Sequence, residues 1–154
     1  MASGKKLQIL AAHKLGVATL SFSRDARWLL TGGWETPLSG PFTAVPSPVA
    51  GFGIKLWDVA TWKEHLSISY KRYGASVAVF SPDGHRFAVE KDWDLIEVFD
   101  VDSGASIGTL TTVDPRSHNR PFSTGNLIFS PDGTWLFQAA QNGVRAWKLS
   151  RLAR

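Results

Sequence analysis

The feature that most constrains the fold of this chain is a short segment that occurs three times. It reads Phe-Ser-Arg-Asp-Ala at 22–26 and Phe-Ser-Pro-Asp-Gly at both 80–84 and 129–133. An apolar or alternating stretch lies on each side of every copy, which is the pattern of two antiparallel strands. Proline presets φ, aspartate suits the second turn position and glycine accepts a left-handed backbone. The repeated segment is therefore predicted to be the turn of a β-hairpin. In the first copy, Ala26 occupies the glycine position, for which alanine is less suitable.

A third predicted strand follows each hairpin and ends in an aromatic residue, at Trp57, Phe99 or Trp147. Fourth strands are predicted at 64–69 and 105–110. Short strands in this order, with no helical pattern, predict an all-β fold of three four-stranded antiparallel sheets. We expect a single domain, 1–154, with a leading outer strand at 6–10 and units at about 12–69, 74–111 and 124–149.

In these features the sequence resembles the WD-repeat β-propeller family over nearly its whole length. The matching features are the three hairpin turns, the strand Ile-Lys-Leu-Trp-Asp at 54–58 and the step of 42 residues from Trp57 to Phe99. That step falls within the ~40–45-residue period of these repeats. The resemblance implies that each sheet is a propeller blade.

The resemblance also implies a structural hydrogen-bond network, which joins a His, a Ser or Thr, an Asp and a Trp within one repeat. His13, Thr31 and Trp57 match three of these positions, and Glu35 could take the place of the aspartate. The corresponding positions hold Lys71 and Val89 in unit two, and Arg120 and Gln138 in unit three. Only the first unit is therefore expected to build the network.

No catalytic residue, metal site or cofactor is predicted. His13, Thr31 and an acid have the chemistry of a nucleophilic triad, but they match the buried structural network instead. The remaining histidines do not have the spacing of metal ligands, and Gly51-Phe-Gly53 leads into a strand rather than into a helix that could bind phosphate.

Antiparallel connectivity predicts where a partner would bind, because alternate connections of a meander share one rim. The two long connections, 34–52 and 111–123, are expected on the same rim. Aromatic residues and arginines on loops over a rigid scaffold are typical of binding hot spots. The candidate partner-binding residues are Trp34, Phe42, Arg72, Tyr73, Trp93, Arg120 and Phe122. The 34–52 loop is either a binding flap or a structural cover.

These observations favour a scaffold or adaptor that binds a protein or peptide partner on this rim. Two alternatives stay open: nucleic-acid-associated binding through basic and aromatic rim residues, or a regulatory appendage of a larger multidomain protein. The net charge is +4, but the basic residues are scattered along the chain, which argues against a nucleic-acid footprint. No apolar run approaches the ~20 residues of a membrane span, and cysteine is absent, so a cytoplasmic protein is expected.

The number of units raises the question of closure. Propellers typically close with ~4–8 blades, so three blades leave two open faces, which are expected to be apolar. The chain could be part of a longer propeller, an open arc, or half of a six-bladed ring that a homodimer closes.

Overall fold

The computed structural model describes residues 9–35, 51–70, 77–91, 95–111, 123–140 and 143–149. These residues contain eleven β-strands and no helix, and each sheet is an antiparallel meander in chain order. The first sheet comprises β1 (Gly16–Phe22), β2 (Trp28–Trp34), β3 (Phe52–Asp58) and β4 (Lys63–Tyr70). The second comprises β5 (Ala78–Phe80), β6 (Arg86–Lys91), β7 (Leu95–Asp100) and β8 (Ser106–Thr111). The third comprises β9 (Ser123–Phe129), β10 (Trp135–Ala140) and β11 (Gly143–Lys148).

The predicted all-β fold of three antiparallel sheets is confirmed, with one difference in the third sheet. That sheet has three strands in the described residues, because β11 pairs there with β10 alone. Most of the predicted leading strand 6–10 lies outside the described residues. Ile9 and Leu10 are described and are not in a strand, and Leu10 packs against Leu29 and Trp57 of the first sheet.

The repeated Phe-Ser-x-Asp segment forms the same hairpin turn in all three sheets. In the second sheet Ser81 Oγ donates to Asp83 and accepts the backbone N–H of Arg86 at 3.0 Å. Gly84 and Gly133 have φ of 75° and 69°, and Ala26 adopts the same left-handed conformation with φ of 57°. A residue other than glycine in the left-handed region costs roughly 1–2 kcal/mol. The first turn therefore keeps the shape of the other two although Ala26 suits it less well.

The aspartates of these turns predict that the protein loses stability in acid. Hydrogen bonds from Ser130 and from the backbone and hydroxyl of Thr134 lower the pKa of Asp132 to about 2. Because this is below the ordinary value of 3.8, the stabilisation is fully present above about pH 4 and is lost as the pH falls towards about 2. We expect urea midpoints to fall over this range, and to fall less steeply in Asp132→Asn.

Asp102→Asn, at an exposed turn residue, is the matched control for this measurement. The pKa of four further turn aspartates is also lowered, so Asp132→Asn should reduce the slope without abolishing it: these are Asp25, Asp58, Asp83 and Asp100. A slope in Asp132→Asn that equals the wild-type slope would contradict the assignment.

The sheets pack face to face around their first strands, with β1 beside β5 and β5 beside β9. The hydroxyls of Thr19 and Ser21 on β1 accept the backbone N–H groups of Ala78 and Phe80 on β5, at 3.3 and 3.4 Å. We call the face of a sheet that points to the preceding sheet its leading face, and the opposite face its trailing face.

Two cores fill the spaces between consecutive sheets. The first joins the trailing face of sheet one to the leading face of sheet two: Trp28, Leu30, Phe52, Ile54, Leu56 and Tyr70 meet Ala78, Phe87, Val89, Phe99 and Val101. The second joins sheets two and three: Ala88, Ile96 and Val98 meet Leu127, Phe129, Leu136 and Leu149. Each sheet is thus held mainly by its neighbours, and the rims are left to the turns and loops.

Candidate functional site

A chain of buried hydrogen bonds crosses the leading face of sheet one. The indole Nε1–H of Trp57 donates to Thr31 Oγ1 at 3.0 Å, and Thr31 Oγ1 lies 2.9 Å from His13 Nε2. His13 Nδ1 lies 2.8 Å from Glu35 Oε1. The structure therefore brings together all three residues of the expected network, and Glu35 occupies the acidic position.

The groups at the two ends fix the direction of the terminal bonds, because the Trp57 indole N–H donates and the Glu35 carboxylate accepts. A carboxylate can only accept, so His13 Nδ1 carries the proton that reaches Glu35. In a neutral imidazole with this tautomer, Nε2 accepts the hydroxyl proton of Thr31, whose oxygen accepts from Trp57. Every member has a partner, which is the condition under which a buried polar network stabilises a fold.

The environment of His13 favours a structural role over catalysis. Its side chain is fully buried, with ring atoms pressed against the backbone of β2. A Cβ at Gly33 would lie only 2.6 Å from His13 Cγ, so glycine is required at that position. The Thr31 hydroxyl is also buried and already shared by two partners. No substrate atom can reach it without displacing one of them.

A second polar chain links sheets two and three. Gln138 corresponds in register to Thr31, and its Nε2 donates to Glu90 Oε1 at 3.0 Å. Gln138 Oε1 accepts from Arg145 Nη1 at 2.9 Å. Glu90 and Gln138 are fully buried, so this chain fixes the two sheets relative to each other near the ends of β6 and β10.

The two rims differ in the connections they carry. Tight turns join strands at one rim, which we call the short-turn rim, at 23–27, 59–62, 81–85, 101–105 and 130–134. At the other, the long-loop rim, β2 ends at Trp34 and β8 ends at Thr111, while the next strands begin at Phe52 and Ser123. Both long connections therefore start and finish on the same rim.

Trp34 lies at the base of the long-loop rim rather than above it. It is half-buried, it packs against the core between sheets one and two, and its ring meets that of Phe52 edge-on at 5.1 Å. The other six candidate partner-binding residues, Phe42, Arg72, Tyr73, Trp93, Arg120 and Phe122, lie outside the described residues.

Comparisons with known proteins agree with this geometry. The family described as WD40, WD domain, G-beta repeat, matches residues 4–36, which include His13 and Thr31. The first unit therefore contains a WD repeat. Among the solved structures it is similar to the crystal structure of the Myceliophteria thermophila Cps50 (Swd1) β-propeller domain, with a TM-score of 0.63 and 19% identity. A search of curated protein sequences finds no match.

The similarity to the Cps50 domain shows the propeller fold and extends over 86% of this chain. It covers 38% of the Cps50 chain, so the chain spans well under half the length of that domain. WD-repeat propellers serve in general as protein-interaction scaffolds and are typically not catalytic.

Sequence reasoning did not foresee a contact between two residues on the long-loop rim of this chain. Lys91 Nζ lies 5.0 Å above the ring of Tyr70, at the ends of β6 and β4, and 3.8 Å from Glu97. The pair joins sheets one and two at the rim. The sequence indicated only that a tyrosine and a lysine lie where strands were predicted to end.

The described residues offer no sign of a metal centre. Among them, no group of three or more His, Asp or Glu side chains could hold a metal ion. Within the same residues no helix is long and apolar enough to cross a membrane.

Proposed function

We propose that this chain is a WD-repeat scaffold that binds a protein or peptide partner on its long-loop rim. The observation that carries the proposal is the contrast between the two rims. The short-turn rim consists of tight turns, whereas both long connections begin and end on the opposite rim. Loops held on a rigid scaffold are the usual location of binding residues.

The chemistry of the two rims supports the same choice. On the short-turn rim, serine and aspartate side chains bond to the backbone of their own turns, as Ser130 and Asp132 do with Trp135 and Thr134. The polar groups of these turns therefore already have hydrogen-bond partners within the turn. On the long-loop rim the strand ends hold the half-buried Trp34 and, beside Lys91, the buried ring of Tyr70. Aromatic side chains are enriched in the centres of interfaces.

The packing of Trp34 separates two roles within this rim. Because Trp34 meets Phe52 and the core, truncation at this position should lower stability as well as binding. We therefore assign Trp34 to the floor of the proposed site. Trp93 and Arg120, together with Phe42, Arg72, Tyr73 and Phe122, stay candidates for direct contact.

A peptide-display library selected on the whole chain tests the proposal. We expect Trp93→Ala or Arg120→Ala to weaken the selected peptides at least about tenfold, or ~1.4 kcal/mol each. The matched controls lie on the short-turn rim: Trp62→Gly, which suits the left-handed φ of 56°, and Arg24→Ala, at an exposed turn residue. These should bind as the wild type does.

Thermal unfolding of each variant completes the test. Loss of binding in the long-loop variants with unchanged unfolding temperature supports the rim site. An equal loss in the Trp62 and Arg24 controls, or a loss that follows the loss of folding, contradicts it.

A further inference from the structure

Apolar positions that are buried in sheets two and three are exposed on the leading face of sheet one. Leu20 is 65% exposed, whereas Ala78 and Leu127, at the same register position, are 1% and 3% exposed. Phe22 is 55% exposed, whereas the corresponding Phe80 is half-buried and Phe129 is 6% exposed. The inner strand of sheet one thus presents the side chains that its counterparts bury against a preceding sheet.

The trailing face of sheet three shows the same contrast. Val144 is 71% exposed, while Ile54 and Ile96, which hold its position in sheets one and two, are fully buried. Ile128 on β9 is 64% exposed, and the neighbouring Phe137 is half-buried. A following sheet would cover these side chains.

We propose that these two faces bind each other in a second copy of the chain. The leading face of sheet one in each copy packs on the trailing face of sheet three in the other, and two such contacts close a ring of six sheets. The two contacts are equivalent and head-to-tail, a type of interface that forms a closed assembly when the rotation between copies closes. Six lies within the ~4–8 blades of known propellers.

The internal interfaces specify what the occupant of each open face must be. Leading faces meet trailing faces between sheets one and two and again between sheets two and three. An open trailing face therefore matches a leading face, and this chain has one open face of each kind. A second copy supplies both in equal number, and the exposed residues named above are apolar.

The segment before β1 supports the same arrangement. In sheet one the outer strand β4 contributes Tyr70, Leu66 and Ile68 to the core over the leading face of sheet two. On the leading face of sheet one, Leu10 and Ala12 pack in a comparable way against Leu29 and Trp57. They cover the outer part of that face and leave its inner strand open. In the described residues, the third sheet is the one that has no outer strand.

The mass of the whole chain in solution, measured by light scattering across a dilution series, tests the proposal. We expect twice the 16.9 kDa of one chain, and a monomer in either Phe22→Asp or Ile128→Asp. A mixture of the two variants should recover a dimer, because one of its two contacts is then wild-type on both sides. Arg24→Asp, at an exposed turn residue, is the control that should stay dimeric.

A cross-link tests the arrangement independently. At the internal interface the Phe80 N–H donates to Ser21 Oγ, and these residues correspond in register to Phe22 and Ile128. Because the chain has no cysteine, the double variant Phe22→Cys/Ile128→Cys should form a disulfide-linked dimer on oxidation. Either single variant should not.

Three results would overturn the proposal. The wild type could be a monomer at its highest soluble concentration, as expected if further blades of a longer chain cover these faces. The wild type could form species larger than a dimer. Alternatively, Ile128→Asp could remain dimeric, which would indicate a contact between two leading faces. Neither face is on the long-loop rim, so failure here leaves the proposed partner site untouched.

Discussion

Replacing Phe87 with alanine should lower the free energy of unfolding by about 3–5 kcal/mol, a large part of the ~5–15 kcal/mol that stabilises a typical domain. Phe87 is fully buried in the core between sheets one and two. Its ring stacks on Phe99 with centroids 5.0 Å apart and meets Phe80 at 6.3 Å. The variant removes both ring contacts and leaves a cavity where two sheets depend on each other.

Urea unfolding, followed by fluorescence and circular dichroism, measures this loss. Phe87→Leu is the matched control, since it keeps most of the volume and should cost less than about 1.5 kcal/mol. If Phe87→Ala unfolds at the wild-type urea concentration, the contact between sheets one and two does not support the fold as described.

Much of this architecture could be predicted from the sequence because its signals are local. The Phe-Ser-x-Asp segments carry their own turn chemistry, and alternation on either side fixes which residues face a neighbouring sheet. The resemblance added the network of His13, Thr31 and Trp57, and the meander placed both long connections on one rim. These steps needed only local turn chemistry and its repetition along the chain.

Other features depend on contacts that no local pattern encodes. Glu90 and Gln138 are 48 residues apart and meet only because sheets two and three pack. A glutamine within Trp-Leu-Phe-Gln was the one hint, since a polar residue facing a core needs a partner. The pairing of β11 with β10 alone in the described residues and the floor position of Trp34 likewise follow from how sheets assemble. The loop residues of the rim have no periodicity from which contact could be inferred.

Replacing Thr31 with valine should lower the free energy of unfolding by about 2–4 kcal/mol, although the side chain keeps its shape. The hydroxyl serves both the indole N–H of Trp57 and the Nε2 of His13. Removing it leaves two buried polar groups without that partner, and each such group costs about 1–3 kcal/mol. The segment that carries His13 should then loosen from β2, because Glu35 alone would hold the ring.

Urea unfolding gives the size of the effect, and hydrogen exchange of the Trp57 indole N–H gives its location. Thr31→Ser keeps the hydroxyl and should retain most of the stability. Thr109→Val makes the same change on an exposed position of β8 and should alter the free energy by no more than about 0.5 kcal/mol. If Thr31→Val were as stable as Thr109→Val, with the indole proton still protected, the network would not hold this sheet together. Trp57 would then owe its position to packing against Leu10, Ala12 and Leu29.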